Sequence, residues 1–543
     1  MSISRPAMFK LKTTIQDLPF EKGPHAPAAK GRRVLLAVHV NTFFVELFRI
    51  AKILKTDESW EPVMYFGWPY PTRDRDVKAC RDVGLVCVDD DGLPNAELGK
   101  GTAAIAPGTT RPGAVAGDFQ AFVRLSRRVL RGIVRRIHTA KSQLFLSPPP
   151  VAQASAPTCS GYLQWHLEQQ AAASRLLAGA RAELLILGGD MPGYDTSDYI
   201  AVARRLGIPV VLIPSTMSNG LEQAEAYFHN PEYQVIGQEN ELAAQRFPRW
   251  VREHRGRKLL RRPGGDILAM EELGTAPPHP WGFNSGFADA VCAESQEMID
   301  YYLDCGLPRE QIVDTGSPAN DVLAEYAATA PQRRSELLRE LGLVDDRPLI
   351  VAALPPDFLY LDGGRPECDF RKYDDLVAFW HRSLTSLDHC NVLLSLHPSV
   401  SPEAFRHLET DNLRIGPGNT ASLVPLADVY VASVSSTIRW AIACGKPVIN
   451  YDVYRYRYTD YLHVPGVATM EEQVEFVAEL DRMANDVEYH RKRTLQQQSV
   501  ADRWGRLDGL AGRRLLELFR KLTTPSVADV ASRQGEAAVK RSA

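Results

Sequence analysis

Several things are missing from this chain of 543 residues. No apolar run approaches the roughly 20 residues needed to cross a bilayer. The opening MSISRPAMFKLKTT has no apolar core of a secretory leader, so no signal peptide is expected. There is no charge excess either. The 63 Lys and Arg against 66 Asp and Glu leave a net charge of −3, which gives no global pull toward nucleic acid. The 8 cysteines contain no CxxC, so reduced, mostly buried thiols in a cytoplasmic protein are expected and a zinc site has no support. No GxxxxGK[ST] is present, and no GxGxxG follows a strand, so neither a P-loop nor a standard dinucleotide site is indicated. No fixed-period repeat occurs.

What is present is a soluble-protein composition, 45% hydrophobic and 24% charged, in a chain too long for one ordinary core. Residues 1–30 read as a loose arm. Short apolar runs then alternate with amphipathic stretches: RRVLLAVHV (32–40), FFVELFRIAKIL (43–54), EPVMYFGW (61–68), a helix over 73–83, and LVCVDDDG (85–92). Residues 93–180 interrupt the rhythm and are expected to be an insertion. The alternation resumes with ELLILGGD (183–190), a helix near 197–206 and IPVVLIPS (208–215). Residues 216–288 read as irregular, and ADAVCAES (288–295) and QIVDTGSP (311–318) as two further strands.

A second series begins at RPLIVAALPPD (347–357). It runs through a helix near 373–387, NVLLSLHP, LRIGPG and ADVYVASVSST (427–437) to KPVINYD (446–452), and three helical segments near 470–483, 487–499 and 505–522 follow. The tail from 523 is expected to be disordered. Strands alternating with helices imply parallel sheets covered on both faces. The expected architecture is α/β, with two doubly wound Rossmann-like domains facing a cleft. One domain covers 31–320, with its insertion at about 93–180, and the other covers 321–522.

In such sheets ligands bind outside the carboxyl ends of the strands. At those ends stand LPPD (354–357), LHPS (396–399), IGPG (415–418) and SVSST (433–437). Ser435, Ser436 and Thr437 lie between a buried strand and a helix start. They can cap the helix, or they can hold a phosphate with its free N–H groups. Pro398 cannot donate a ladder hydrogen bond, so its strand ends there and His397 is held extended, aimed out of the sheet edge. His397 is then either a local structural contact or a phosphate partner. In the first half, Asp90 in DDDG and Asp190 in GGD follow strands. Each suits a general base taking a proton from a sugar hydroxyl. Each also has a bland reading, DDDG as a solvated turn and Asp190 as a cap on the next helix.

Three stretches resemble the GT-B glycosyltransferases of bacterial surface-polysaccharide synthesis. AVCAESQEMIDYYLDCGLPREQIVDTGSPANDVL (290–323) is similar to the inter-domain passage shared by capsule transferases, CDP-glycerol polymerases and UDP-N-acetylglucosamine 2-epimerases. LLSLHPSV is similar to their HP motif. LADVYVASVSSTIRWAIACGKPVINYD is similar to their nucleotide-site segment. Bacterial sialyltransferases of this group combine an acidic-acidic-Gly motif, HP and Ser-Ser/Thr in that order, here Asp90-Asp91-Gly92, His397-Pro398 and Ser435-Ser436-Thr437. The resemblance implies Asp90 as base, with Asp190 as its competitor. It implies a donor-nucleotide site of His397, Pro398, Gly416, Ser435, Ser436 and Thr437, with His397 protonating the phosphate as it leaves. It implies a CMP-linked nonulosonate or Kdo donor and a surface-glycan or glycolipid acceptor. A 2-epimerase-like enzyme or a CDP-polyol phosphotransferase is the alternative.

No cofactor is expected beyond the nucleotide-sugar substrate, and no metal, since no DxD is placed for one. NYDVYRYRYTDYLHVPGV (450–467) either meets the donor or packs the cleft. Ala121–Lys141 carries Arg124, Arg127, Arg128, Arg131, Arg135, Arg136 and Lys141 with no acid. As a helix it can lie on an anionic membrane surface at the inner face of the cytoplasmic membrane, or pack on the core with a solvated basic face. Nucleic-acid binding has no accompanying motif.

Overall fold

A computed structural model describes residues 31–67, 72–95, 159–193, 196–213, 217, 220–359, 367–397 and 400–524. The expected arm (1–30), the basic stretch 121–141, Pro398 and the tail beyond 524 lie outside the described residues.

The strands are β1 (Arg32–Val38), β2 (Trp60–Phe66), β3 (Val86–Val88), β4 (Leu184–Leu187), β5 (Val210–Leu212), β6 (Val251–His254), β7 (Arg257–Leu260), β8 (Ala290–Ala293), β9 (Ile312–Asp314), β10 (Leu349–Ala353), β11 (Asn391–Ser395), β12 (Leu413–Ile415), β13 (Val429–Ala432), β14 (Val448–Tyr451) and β15 (Val467–Met470). They build a front sheet ordered β3-β2-β1-β4-β5-β8-β9, a rear sheet ordered β12-β11-β10-β13-β14-β15, and the small hairpin β6-β7. Every pairing within the two large sheets is parallel. The protein therefore has two Rossmann-like domains. Their strand orders reverse between β1 and β4 in front and between β10 and β13 behind.

Continuous apolar runs form these strands because both faces are covered. In β1, Val34, Leu36 and Val38 enter one core and Leu35 and Ala37 the other. In β10, Ile350 and Ala352 face one layer and Leu349 and Val351 its opposite. That is the two-residue period of a strand buried on both sides.

Four expectations are corrected. Residues 159–180 are no insertion. Cys159–Ala180 is a helix of 22 residues whose Ala173, Leu176, Leu177 and Ala180 cover the front sheet. Residues 220–273 are not irregular. They form helices Gly220–Tyr227, Gln238–Arg246 and Gly264–Leu273 and the hairpin, around a small core of Ala243, Trp250, Leu260, Ile267 and Met270. The rear sheet does not end at β14, since β15 adds a sixth, four-residue strand. The final helix, Ala511–Thr523, leaves the rear domain. Its Leu515, Leu518 and Phe519 join the front core, and Phe519 meets Trp60 edge-on at 6.4 Å between ring centroids. The Asp321 carboxylate receives the N–H groups of Ala511 and Gly512 at 2.9 and 2.8 Å, where the helix dipole favours negative charge. Among the described residues no helix is long and apolar enough to cross a membrane.

Candidate functional site

The carboxyl edges of the two sheets face each other, as four buried charges show. Helix Phe44–Lys55 follows β1 and carries Glu46 and Arg49, which pair one turn apart. Arg49 Nη2 also reaches across to Asn419 Oδ1, beyond β12, at 3.0 Å. Glu294 follows β8 and pairs with Arg439, beyond β13; both side chains are almost wholly buried. Arg439 also donates to the carbonyl of Ser436, so the front domain grips the rear turn through one guanidinium. Burial lifts the Glu46 carboxyl above its usual range, with Arg49 pulling the other way. One oxygen each of Glu46 and Glu294 is buried without a hydrogen-bond partner among the described residues.

On the rear edge, β13 runs into the turn 433–437. Val434 has φ +46°, a left-handed conformation costly for a β-branched residue, about 1–2 kcal/mol. Its N–H is held by Asn450 Oδ1 on β14 at 2.9 Å. Thr437 stands at the N-cap of helix Ile438–Ala443 but makes no side-chain cap. Its hydroxyl instead meets Ser435 Oγ at 2.7 Å and the Tyr430 hydroxyl, and its N–H donates to Ser435 Oγ at 3.2 Å. The Thr437 cap is thus replaced by a Ser435 hydroxyl turn, with residues 434–437 partly exposed.

His397 follows β11 on the same edge and is partly exposed. It does not lie on a strand neighbouring that of the serine turn. β10 stands between β11 and β13, a gap of two strand spacings or about 10 Å. Burial pulls its imidazole down to about 4, so it is a neutral hydrogen-bonding group near pH 7. A phosphate beside it would raise its proton affinity. Gly416 is explained by packing. A Cβ there would stand 2.6 Å from Leu423 Cδ1, and its N–H donates to the Leu394 carbonyl at 3.0 Å.

The segment after β14 divides by side-chain type. Tyr454, Tyr456 and Tyr458 follow one another with ring centroids 5.6 and 4.9 Å apart, and Tyr454 donates to the Pro356 carbonyl. Arg455 and Arg457, at φ +54° and +56°, pair outward with acids: Arg455 with Asp369 and Glu472, Arg457 with Glu367 and Glu471. Tyr454 and Tyr456 are core packing.

On the front edge the three aspartates after β3 separate cleanly. Asp89 Oδ1 accepts the N–H groups of Asp91 and Leu93 and shapes the turn. Asp91 pairs with Arg175 at 3.3 Å. Asp90, exposed, accepts the Tyr65 hydroxyl at 2.9 Å. Gly92 is required twice over. Its φ is +73°, and a Cβ would fall 2.3 Å from Leu176 O and Ala180 N at the end of helix Cys159–Ala180. Asp190 is different, being fully buried. Its oxygens accept the backbone N–H groups of Ser285 and Phe287, the latter at 3.1 Å. Burial holds its carboxyl up at about 6 against those hydrogen bonds. It neither meets solvent nor caps the following helix; it clamps the 284–287 loop.

The sequence reading passed over His39, directly beyond β1. The ring is 4% exposed. It stands edge-on to Tyr199 at 4.6 Å and to Tyr65 at 6.4 Å between centroids. Both ring nitrogens are buried without a hydrogen-bond partner among the described residues, a cost of about 1–3 kcal/mol for each polar group so left. Burial pulls its imidazole down to about 4. The strand-end rule applied to VHVN would have found it; in the front domain the rule was followed only to carboxylates. Among the described residues no group of three or more His, Cys, Asp or Glu side chains is placed to hold a metal ion.

No protein-family model matches the chain, and no curated protein matches it. Solved structures similar to it include the S. aureus MnaA–UDP co-structure, at 11% identity and TM-score 0.47, covering 90% of this chain and 96% of that one. Another is UDP-GlcNAc 2-epimerase from Neisseria meningitidis bound to UDP-GlcNAc, at 10% identity and TM-score 0.47, covering 90% and 100%. A third is the wall teichoic acid polymerase TagF, at 12% identity and TM-score 0.48, covering 91% and 89%.

Proposed function

We propose that this protein is a glycosyltransferase that moves a sugar from a nucleotide-sugar donor to a hydroxyl of a glycan or glycolipid acceptor. The observation that carries the reading is the division of chemistry between the facing edges. The front edge presents Asp90, an exposed carboxylate steadied by Tyr65, and the rear edge presents His397 and the Ser435–Thr437 turn. In the proposed reaction Asp90 takes the proton of the acceptor hydroxyl as its oxygen attacks the anomeric carbon. His397 and the serine turn hydrogen-bond the departing phosphate, where negative charge develops. A neutral His397 binds as a hydrogen-bonding group first and gains its proton affinity from the phosphate itself. Asp90 is preferred to Asp190 because the latter would have to surrender both backbone contacts to act. The favoured donor is a CMP-linked nonulosonate or Kdo, from the order of the acidic, HP and Ser-Ser/Thr motifs.

Melting shifts with CMP, UDP and CDP test the donor class, since a ligand that binds only the folded state stabilises it by mass action. A CMP-selective shift supports the proposal. A UDP-selective shift, with interconversion of UDP-GlcNAc and no transfer, replaces it with the epimerase. A CDP-selective shift replaces it with polyol-phosphate transfer. His397→Ala is expected to depress turnover about tenfold or more; near-normal transfer removes it from the mechanism.

A further inference from the structure

We propose that His39 and Gly67 form a subsite for a neutral hydroxyl of the acceptor sugar, with His39 as the positioning residue that holds the acceptor beside Asp90. This rests on the glycosyltransferase reading and names where its acceptor is gripped.

Three observations converge. The first is the pair of orphaned nitrogens. Buried polar atoms are hydrogen-bonded in nearly all native structures, and an exception calls for a guest. A hydroxyl both donates and accepts, so it can satisfy a neutral imidazole through either nitrogen. The second is position. His39 lies immediately past β1, where the strand order reverses between β1 and β4, and this is where open α/β sheets take their ligands. The third is a glycine at a place where a side chain would cover the ring. Gly67 follows β2 and is partly exposed. A Cβ there would stand 3.2 Å from His39 Nδ1 and 3.1 Å from Tyr65 Cε1. A methyl there would crowd Nδ1, so glycine at 67 keeps that side of the His39 ring free of a side chain of its own.

The chemistry selects a sugar hydroxyl over a phosphate. The rings against His39 are phenols, which bring no positive charge to an anion. Tyr65 links the two functions, since its ring borders His39 and its hydroxyl holds Asp90. A sugar seated against His39 is thereby one tyrosine away from the proposed base.

The test uses the full chain and the variants His39→Phe, His39→Asn and Gly67→Ala. Donor-side binding is read as the melting shift with CMP and with UDP. Acceptor-side binding is read as KM for lactose and methyl β-galactoside, with CMP-N-acetylneuraminic acid or UDP-GlcNAc as donor according to which nucleotide shifts the wild type more. His39→Phe and Gly67→Ala should raise acceptor KM about tenfold, the worth of one hydrogen bond, and leave the nucleotide shift unchanged. His39→Asn, which keeps a donor and an acceptor, should recover part of the loss.

The proposal is overturned if His39→Phe leaves acceptor KM within about twofold of wild type, or if it lowers the nucleotide shift, which would place His39 on the donor side. If His39→Phe melts below assay temperature, the Gly67→Ala comparison decides on the same criteria. A wild type that binds neither nucleotide refutes the glycosyltransferase reading. The subsite is then judged on the two glycosides alone: stabilisation of the wild type but not of Gly67→Ala supports it, and no stabilisation overturns it.

Discussion

His166 should make the front domain's stability depend on pH in the alkaline range. Its ring is buried between two carboxylates, with Nδ1 2.7 Å from Asp198 and Nε2 2.9 Å from Asp266. Arg262 donates to the second oxygen of Asp266 at 2.8 Å, and Gln170 to Asp198 at 3.2 Å. Burial by itself pulls the imidazole down, but hydrogen bonds and charge from Asp198 and Asp266 outweigh it and lift the ring to about 9. An unfolded histidine titrates near 6.5. The folded state therefore holds the proton more tightly. The contribution is complete below about pH 6.5 and is lost as pH rises through about 9. Its full size is about 3 kcal/mol, at roughly 1.4 kcal/mol per pH unit.

His166→Gln keeps polar contacts but cannot carry the charge, and so leaves two buried carboxylates facing each other without their shared cation. At about pH 6 the variant should be about 3–5 kcal/mol less stable than wild type, the usual cost of breaking a buried pair. Toward about pH 9.5 most of that gap should close as wild type loses its own proton. Urea unfolding at both pH values, read with imidazole nitrogen shifts to follow His166 directly, measures gap and titration together. A gap that stays constant or widens over this range, or a His166 that titrates near 6.5 in the folded protein, would refute the reasoning.

Two further comparisons separate chemistry from architecture. Asp90→Asn should cut transfer about 10²–10⁴-fold with little change in melting, as removal of a general base does. Asp190→Asn should instead cost about 1–3 kcal/mol of stability, because Ser285 and Phe287 donate to different oxygens and the NH2 that replaces one of them cannot accept, while turnover per folded molecule holds. The reverse pattern in paired kinetic and denaturation measurements would exchange their roles. Phe519→Ala should cost about 3–5 kcal/mol and lower the melting of the front domain, although residue 519 lies at the far end of the chain. Limited proteolysis that instead cuts the rear domain first would put that helix elsewhere.

Most of the fold was legible because parallel strands buried on both faces are written as unbroken apolar runs. RRVLLAV, LLIL, LIVAA and NVLLS all became strands at the places their composition indicated. What escaped reading lacked that signature. Helix Cys159–Ala180 buries His166 and Gln170 among Tyr162, Trp165, Ala173, Leu176, Leu177 and Ala180, so its apolar stripe is broken by polar residues, and it follows a proline-rich stretch of sequence that reads as loop. β15 has four residues, too few to show a period. The final helix read correctly as helical, but its partner was not in the reading. Nothing local to Leu515, Leu518 and Phe519 says that they pack under β2 and not beside β14.

The site was legible to the extent that it follows from strand ends and illegible where it follows from contacts between elements distant in sequence. Asp90, His397 and Ser435 each follow a strand, and parallel topology sends them to a common edge. But three adjacent aspartates are indistinguishable in a string. Only the fold assigns Asp89 to its own turn, Asp91 to Arg175 and Asp90 to Tyr65, 25 residues back. Asp190 shows the converse. Its sequence setting, after two glycines at a strand's carboxyl end, is as suitable for a base as that of Asp90, and burial alone removes it from contact with a ligand. His39 is the same argument turned around. The residue with two unsatisfied nitrogens stands in an ordinary VHVN, and its unsatisfied state exists only because Tyr65, Tyr199 and a side-chain-free Gly67 surround it. A strand-end rule names the candidates for a ligand, and burial with unfilled hydrogen-bonding capacity selects among them.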